Sequence, residues 1–267
     1  MSLRSKLVSV HWLLAEQFGF NPLRALRSMR GIPRYLRGLH RFRKSYRGPL
    51  SCVPCLHDWY EEGGATRSEY FWQDLLVARK IFEASPQKHV DIGSRVDGFV
   101  THVATFREIE VFDIRPLTTV IPGVVFKQAD LMSDESIASY VSDSKGYCDS
   151  ISCLHAIEHF GLGRYGDKID PDGYVRGIRN IARLLKSGGK CYLSTPIGRQ
   201  RVEFNANWIF SPSTIINAAH SNGLIFENLT VVNQEGDHQM VDSPDTLSAL
   251  EGSDYNLGIF SFKKVVG

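Results

Sequence analysis

Lys88-His89-Val90-Asp91-Ile92-Gly93-Ser94-Arg95-Val96-Asp97-Gly98-Phe99-Val100 is the stretch that decides the fold. A short apolar run ends in an acid, small residues follow, and then comes a helix start. This is the layout of a strand feeding a tight turn at the mouth of an open α/β sheet, where nucleotide-like ligands bind. A phosphate-binding P-loop needs Gly-x4-Gly-Lys-Ser/Thr. Gly93 and Gly98 keep that spacing, but Phe99 stands in place of the lysine, which argues against nucleoside-triphosphate hydrolysis. A dinucleotide fingerprint needs Gly-x-Gly-x-x-Gly against the pyrophosphate. Ser94-Arg95-Val96 leaves one glycine in the turn, which weakens NAD or FAD.

Downstream of this turn, apolar runs and amphipathic stretches alternate. They predict strands over 88–94, 108–114, 124–129, 148–154, 189–195, 225–232 and 258–266, and helices over 97–104, 134–143, 172–186 and 212–222. Repeated βα units predict an α/β fold: a Rossmann-like, doubly wound, mostly parallel seven-stranded sheet with an antiparallel last strand. Residues 233–256 read as a polar excursion, with a closing antiparallel hairpin strand as the simplest outcome. Upstream, Tyr70 to Ala84 predicts a helix with Phe71, Leu75, Ala78 and Phe82 on one face, and 48–68 is loop-like. The expected division is a basic helical extension and linker over 1–85 and the sheet domain over 86–267.

The chain has 267 residues, 43% hydrophobic and 22% charged, and no apolar run approaches the roughly 18 residues of a membrane span. The apolar patch Val8 to Ala15 is interrupted by His11 and Trp12, and no small-residue cleavage site follows, so a secretory signal is not expected. Five cysteines, three of them in predicted strands, point to reduced thiols and a cytoplasmic chain. Cys52-Val53-Pro54-Cys55 has metal-type spacing but no second pair, and is read as incidental. Residues 1–57 hold eleven Lys or Arg and one acid, leaving 20 basic and 28 acidic groups in the rest. In residues 2–47 apolar and cationic side chains recur every three or four positions. One reading is attachment to an anionic membrane or phosphate-bearing substrate; the other is a solvated basic face packed on the main domain. No nucleic-acid motif accompanies the charge.

Three acids fall at three successive strand ends: Asp91, Asp113 and Asp130. At 22 residues beyond Asp91, Asp113 stands where an acid accepts ribose hydroxyls, and Asp130 where a carboxylate takes an exocyclic adenine N–H. A cationic nucleoside with a free ribose diol suits this set, as S-adenosylmethionine does and pyrophosphate cofactors do not.

The order VDIGS, VFDI, QADL, DSISCLHAIEH and LLKSGGKCYLSTP resembles the class I S-adenosylmethionine-dependent methyltransferases across roughly residues 86–232. More narrowly, YFWQDLLVARKIF, HVDIGSRVDGFV, DIRPL and CLHAIEHFGLGRYGD are similar to an uncharacterised bacterial and nematode methyltransferase-like family, over most of 58–212. Its bacterial members go with surface-polysaccharide synthesis. The resemblance implies cofactor contacts at Asp91, Gly93, Ser94, Asp113, Ile114, Asp130, Leu131 and His155. Arg95 departs from the pattern, since it stands at the second glycine of acid-x-Gly-x-Gly-x-Gly; a side chain there must point away from the cofactor or join the pocket wall.

His155-x-x-Glu158-His159 matches a zinc-peptidase pattern letter for letter, but it follows a strand instead of lying in an amphipathic helix. No metal ligand is predicted, although a divalent ion is compatible with the loop. Within the resemblance this segment is the loop after the fourth strand, like that of small-molecule O-methyltransferases. There His159 takes the hydroxyl proton and Glu158 orients it, helps hold a divalent ion, or merely caps the next element. The following loop brings Arg164, Tyr165 and Asp167 as candidate substrate contacts. The expected function is O-methylation of a sugar or glycan precursor, possible lipid or phosphate linkage included, in O-antigen or capsule synthesis. The expected site of action is the cytoplasm or the inner membrane face. A non-catalytic methyltransferase-like scaffold and a zinc hydrolase are the rival readings.

Overall fold

Proline in the first turn of a helix loses no hydrogen bond. Pro22 and Pro33 both sit there: α1 spans Pro22–Met29 and α2 spans Ile32–Ser45. Asn21 caps α1, its side-chain oxygen accepting the Arg24 N–H at 2.9 Å. Gly31 joins the helices where a Cβ would lie 2.1 Å from the Leu56 carbonyl oxygen. A computed structural model describes residues 14–15, 18–141, 146–241 and 244–266. The basic run expected before residue 14 lies outside them. The chain forms two compact units, Met1–Ala65 and Thr66–Gly267. The first holds α1 and α2, neither of which buries a residue.

In the second unit the helix expected over 70–84 is α3, Glu69–Ala84, so the division falls at 65/66, ahead of this helix. The sheet follows: β1 His89–Ile92, β2 Ile109–Asp113, β3 Val124–Gln128, β4 Cys148–Leu154 and β5 Leu185–Ile197. The hairpin β6 Arg201–Glu203 and β7 Asn207–Ile209 pairs apart from it. β8 Leu224–Val232, β9 His238–Val241 and β10 Asn256–Lys264 complete it. The order is β3-β2-β1-β4-β5-β10-β8-β9. β1 to β5 pair parallel, and β10 runs antiparallel between β5 and β8. The mostly parallel sheet with an antiparallel last strand is therefore what the chain builds, with β9 as an eighth strand on the edge.

The remaining helices are α4 Thr101–Ala104, α5 Asp134–Ile137, α6 Gly173–Leu184, α7 Pro212–His220 and α8 Pro244–Glu251. Three depart from expectation. The helix over 97–104 is broken at Gly98 (φ −123°, ψ −107°), where a Cβ would stand 2.7 Å from the Asp74 carboxylate. α5 stops early, and Tyr140 turns onto Phe112 and Tyr147 at ring distances of 4.9 and 5.2 Å; residues 142 and 143, the end of that expected helix, lie outside the described ones. The polar excursion carries β9 and α8 as well as loop.

Sheet pleating sends alternate residues to opposite faces. Val90, Ile92 and Phe112 join one core with Ile151, Ile178 and Phe260, while Ile109 and Val111 join the other with Val77 and Ile81 of α3. Between the apolar layers runs a buried polar ladder. His89 contacts Ser150 Oγ through Nδ1 at 2.8 Å and Ser152 Oγ through Nε2 at 3.1 Å. Ser152 and Ser94 each donate a hydroxyl to Asp91 Oδ1 at 2.6 Å, and the Ser94 N–H donates to Oδ2 at 3.0 Å. Burial pushes the Asp91 carboxyl up to about 6 and His89 down to about 3. Asp91→Ala strips these three donors of their acceptor inside the core. We expect it to lower stability by about 2–4 kcal/mol, read as an earlier urea midpoint at unchanged slope; an unchanged midpoint would contradict the structural role.

Candidate active-site pocket

A cavity of about 430 Å³ opens at the carboxyl ends of β1, β2 and β4, the usual ligand position in open parallel sheets. From β1 comes Gly93, in the left-handed region at φ 67° and close against Ala156. Asp113, Ile114 and Arg115 come from the end of β2, and Asp130 and Leu131 from the segment after β3. His155, Glu158 and His159 follow β4, and Arg164, Tyr165 and Asp167 lie on the next loop. The expected residues thus meet in one cavity with two exceptions. Asp91 and Ser94 lie beneath it, 0% and 1% exposed, where they hold the turn together and do not face a ligand.

Asp113 is already engaged. Arg115 donates its backbone N–H and Nε–H to Oδ1 at 2.8 and 3.0 Å and Nη2–H to Oδ2 at 2.6 Å. A carboxylate has about four acceptor positions, so capacity for a ribose hydroxyl remains. Asp130 Oδ1 accepts the Met132 N–H at 2.8 Å. The carboxylates of Asp113 and Asp130 and the close backbone at Gly93 fit a cationic nucleoside. Arg95 reaches outward to Asp97, at 2.6 and 3.0 Å, so the residue that departs from the glycine pattern forms an exposed ion pair at the cavity wall.

Beyond β4, His155 adopts left-handed backbone (φ 49°), with its N–H donating to both the carbonyl and the hydroxyl of Ser194 at 3.1 Å. This bend lets the Ile157–His159 turn fold back, so that His155 Nδ1 meets Glu158 Oε1 at 2.8 Å. Glu158 is 1% exposed. Burial opposes charge on both groups, but their mutual hydrogen bond and attraction prevail: the His155 pKa is raised and the Glu158 pKa lowered. Glu158 therefore pairs with His155, and stands 3.9 Å from His159 Nε2.

His159 is oriented from elsewhere. Its Nδ1 lies 2.7 Å from the Ala206 carbonyl oxygen, in the β6–β7 hairpin. A carbonyl cannot donate, so Nδ1 carries the proton, and in the neutral ring Nε2 keeps a free lone pair. Burial, the largest influence, lowers the His159 pKa against the pull of Glu158. Tyr165 meets this ring edge-on at 5.3 Å, with the Arg115 guanidinium over its face at 4.4 Å. Arg164 donates to the same Ala206 oxygen at 2.9 Å. The Asp167 carboxylate accepts the backbone N–H groups of Gly161, Gly163 and Tyr165, so its work is to shape the loop. The zinc-peptidase pattern falls on a strand end and a single tight turn, without the helix that places its two imidazoles together. The described residues contain no group of three or more His, Cys, Asp or Glu that could hold a metal ion.

Sequence reasoning missed four polar wall residues, Glu69 and Tyr70 of α3, Arg115, and Tyr255 before β10. The Tyr70 ring lies 4.5 Å from that of His155, tilted by 32°, and Tyr255 donates to Glu69 Oε1 at 2.8 Å, an oxygen that itself stands 3.5 Å from His155 Nε2. The signal for the first two was present: Glu69, Tyr70, Gln73 and Asp74 form a second, polar stripe on α3, with Gln73 and Asp74 buried. Gln73 also accepts the Ser194 hydroxyl, linking α3 to the backbone that holds His155.

Comparison with known proteins supports the fold. The profile of a family described as "Caenorhabditis protein of unknown function, DUF268" matches residues 125–235. No curated protein matches the sequence. Among solved structures, the [4+2]-cyclase SpnF is 14% identical with a TM-score of 0.50, over 73% of this chain and 81% of its own. A proposed sarcosine dimethylglycine methyltransferase from Galdieria sulphuraria is 12% identical with a TM-score of 0.50, over 72% and 85%. N-methyltransferase NodS from Bradyrhizobium japonicum WM9, in complex with S-adenosylhomocysteine, aligns at 12% identity and a TM-score of 0.49, over 74% and 88%. The fold is the Rossmann-like fold of the S-adenosylmethionine-dependent methyltransferases. That a cyclase shares it shows that the fold alone does not choose the reaction.

The two imidazoles should titrate on opposite sides of the ordinary value of 6.5. His155, paired with Glu158, should hold its proton to higher pH, and His159 should lose its own at lower pH. Histidine-resolved NMR titration reads this directly. Glu158→Gln should lower the His155 value, because burial then acts against less compensating charge; an unmoved His155 would disprove the pairing.

Proposed function

We propose that the protein is an S-adenosylmethionine-dependent O-methyltransferase whose acceptor is a hydroxyl of a sugar or glycan precursor, in surface-polysaccharide synthesis. The observation that carries the reading is His159. Its Nδ1 proton is committed to Ala206, its Nε2 lone pair is free, and burial favours the neutral ring, all in the cavity that Asp113 and Asp130 line. Bound there, S-adenosylmethionine would supply an electrophilic methyl group. Asp113 and Asp130 would hold its ribose and adenine edges. His159 Nε2 would take the acceptor's proton as the C–O bond forms and the S–C bond breaks, leaving S-adenosylhomocysteine. The 3.9 Å approach of Glu158 to Nε2 would then favour the imidazolium.

On the acceptor side, Tyr165 and Arg164 supply an aromatic face and a cation at the cavity wall, a chemistry that suits sugars bearing phosphate. Positioning supplies most of the rate, and the base a factor of about 10²–10⁴.

Calorimetry with S-adenosylhomocysteine tests the first half. Binding is expected, weakened by about tenfold or more in Asp113→Ala and Asp130→Ala, each of which loses a charged hydrogen bond; no binding to the native protein would end the reading. His159→Ala should keep the cofactor and lose methyl transfer by the factor above. The readout is the methyl content of surface glycan in cells carrying either form. Full methylation with the variant would remove His159 as the base, while a bound cofactor with no turnover in any form would favour a non-catalytic scaffold.

A further inference from the structure

Between Asn21 and His57 the sequence holds nine Lys or Arg and no Asp or Glu. In α2 these charges are sorted. At about 100° per residue, Ile32, Tyr35, Leu36, Leu39 and Phe42 fall within an arc of about 120°, and Arg34, Arg37, Arg41 and Lys44 within about 80° opposite. Arg43 alone breaks the pattern. The apolar side is open: Leu23, Leu26, Met29, Ile32, Leu36 and Phe42 are between 41 and 66% exposed. Beside the cations stand two exposed aromatic rings of the same unit. The Arg34 guanidinium lies 3.4 Å from the centre of the Trp59 ring and Arg30 lies 4.0 Å from that of Tyr60.

We propose that α1 and α2, with Trp59 and Tyr60, form an in-plane docking surface for an anionic phospholipid bilayer. The exposed leucines, Met29 and Phe42 enter the acyl boundary while Arg34, Arg37 and Arg41 meet lipid phosphates. Tryptophan and tyrosine favour the headgroup level, where arginine also sits. No helix among the described residues is long and apolar enough to cross a membrane, so the mode is binding along the surface. Duplex nucleic acid would satisfy the cations but leave the apolar side in water. A second copy would cover the apolar side but set nine cations against nine. An anionic bilayer accommodates both. The proposal does not rest on methyl transfer.

Co-sedimentation of the full chain with phosphatidylcholine vesicles, with and without phosphatidylglycerol, tests it. The expected result is at least tenfold stronger binding to the anionic vesicles, falling as salt is added. Arg37→Glu/Arg41→Glu should lower that binding at least tenfold, and Leu36→Ser/Phe42→Ser should weaken it at least fivefold with every charge retained. All four side chains are exposed, so both variants should keep the native circular dichroism. No binding, or equal binding to both vesicle types, overturns the proposal. So does a serine variant that binds vesicles like the native chain while both shift duplex DNA, which would assign the surface to nucleic acid. Dimerisation abolished by the serine variant, without vesicle binding, would assign it to self-association.

Discussion

An isolated carboxylate buried between two parallel strands is the constraint around which the sheet's active edge is built. Asp91 is fully buried, no cation among the described residues bonds to it, and its charge is held by the hydroxyls of Ser94 and Ser152 and one backbone N–H. Desolvating such a group is expensive unless its hydrogen bonds are complete. Completing them fixes three things at once: the end of β1, the turn after it, and the register of β4. Ser94 then accepts the Leu154 N–H at 3.1 Å, so the turn under the cavity and the start of the loop that bears the histidines are tied through one hydroxyl. The acid that the sequence suggested for the ligand works for the scaffold.

Above that floor several of the cavity's charges are paired. Arg115 covers Asp113, His155 covers Glu158, and Arg95 is drawn off to Asp97. The two imidazoles are treated oppositely although four residues apart. His155 is surrounded by the carboxylates of Glu158, Glu69 and Asp74, whereas His159 has a carbonyl at one nitrogen and its nearest carboxylate at 3.9 Å. Pushing apart the proton affinities of neighbouring groups is how one site keeps one as a charge and the other as a base.

How much of this could be read from the chain follows from how local each feature is. β1, β2 and β4 came through because buried strands announce themselves in apolar runs of four to seven residues, and the connections between strands carry helical periodicity. The residues at the strand ends were legible for the same reason. What was hidden depends on partners distant in sequence. The polar stripe of α3 looks like any solvent-facing stripe until its helix is laid on the sheet, where Gln73 and Asp74 become buried. Asp167 and Asp91 read as ligand contacts because an acid beside a turn has the same local signature whether it binds a ligand or its own backbone. β9 and α8 escaped because the excursion is polar: of His238, Gln239, Met240 and Val241, only Val241 is buried.

The group that fixes the His159 tautomer belongs to the main chain. The Ala206 carbonyl accepts from both His159 and Arg164, and a peptide oxygen is common to every amino acid. Replacing the side chain at 206 leaves that acceptor in the chain, so the protonation pattern of the imidazole is insulated from sequence drift at the residue that sets it. What the pattern does depend on is the path of the backbone. An insertion or deletion in the short β6–β7 hairpin would displace the oxygen and, with it, the nitrogen that faces the cavity. Selection on this feature would therefore act on loop length before it acts on residue identity.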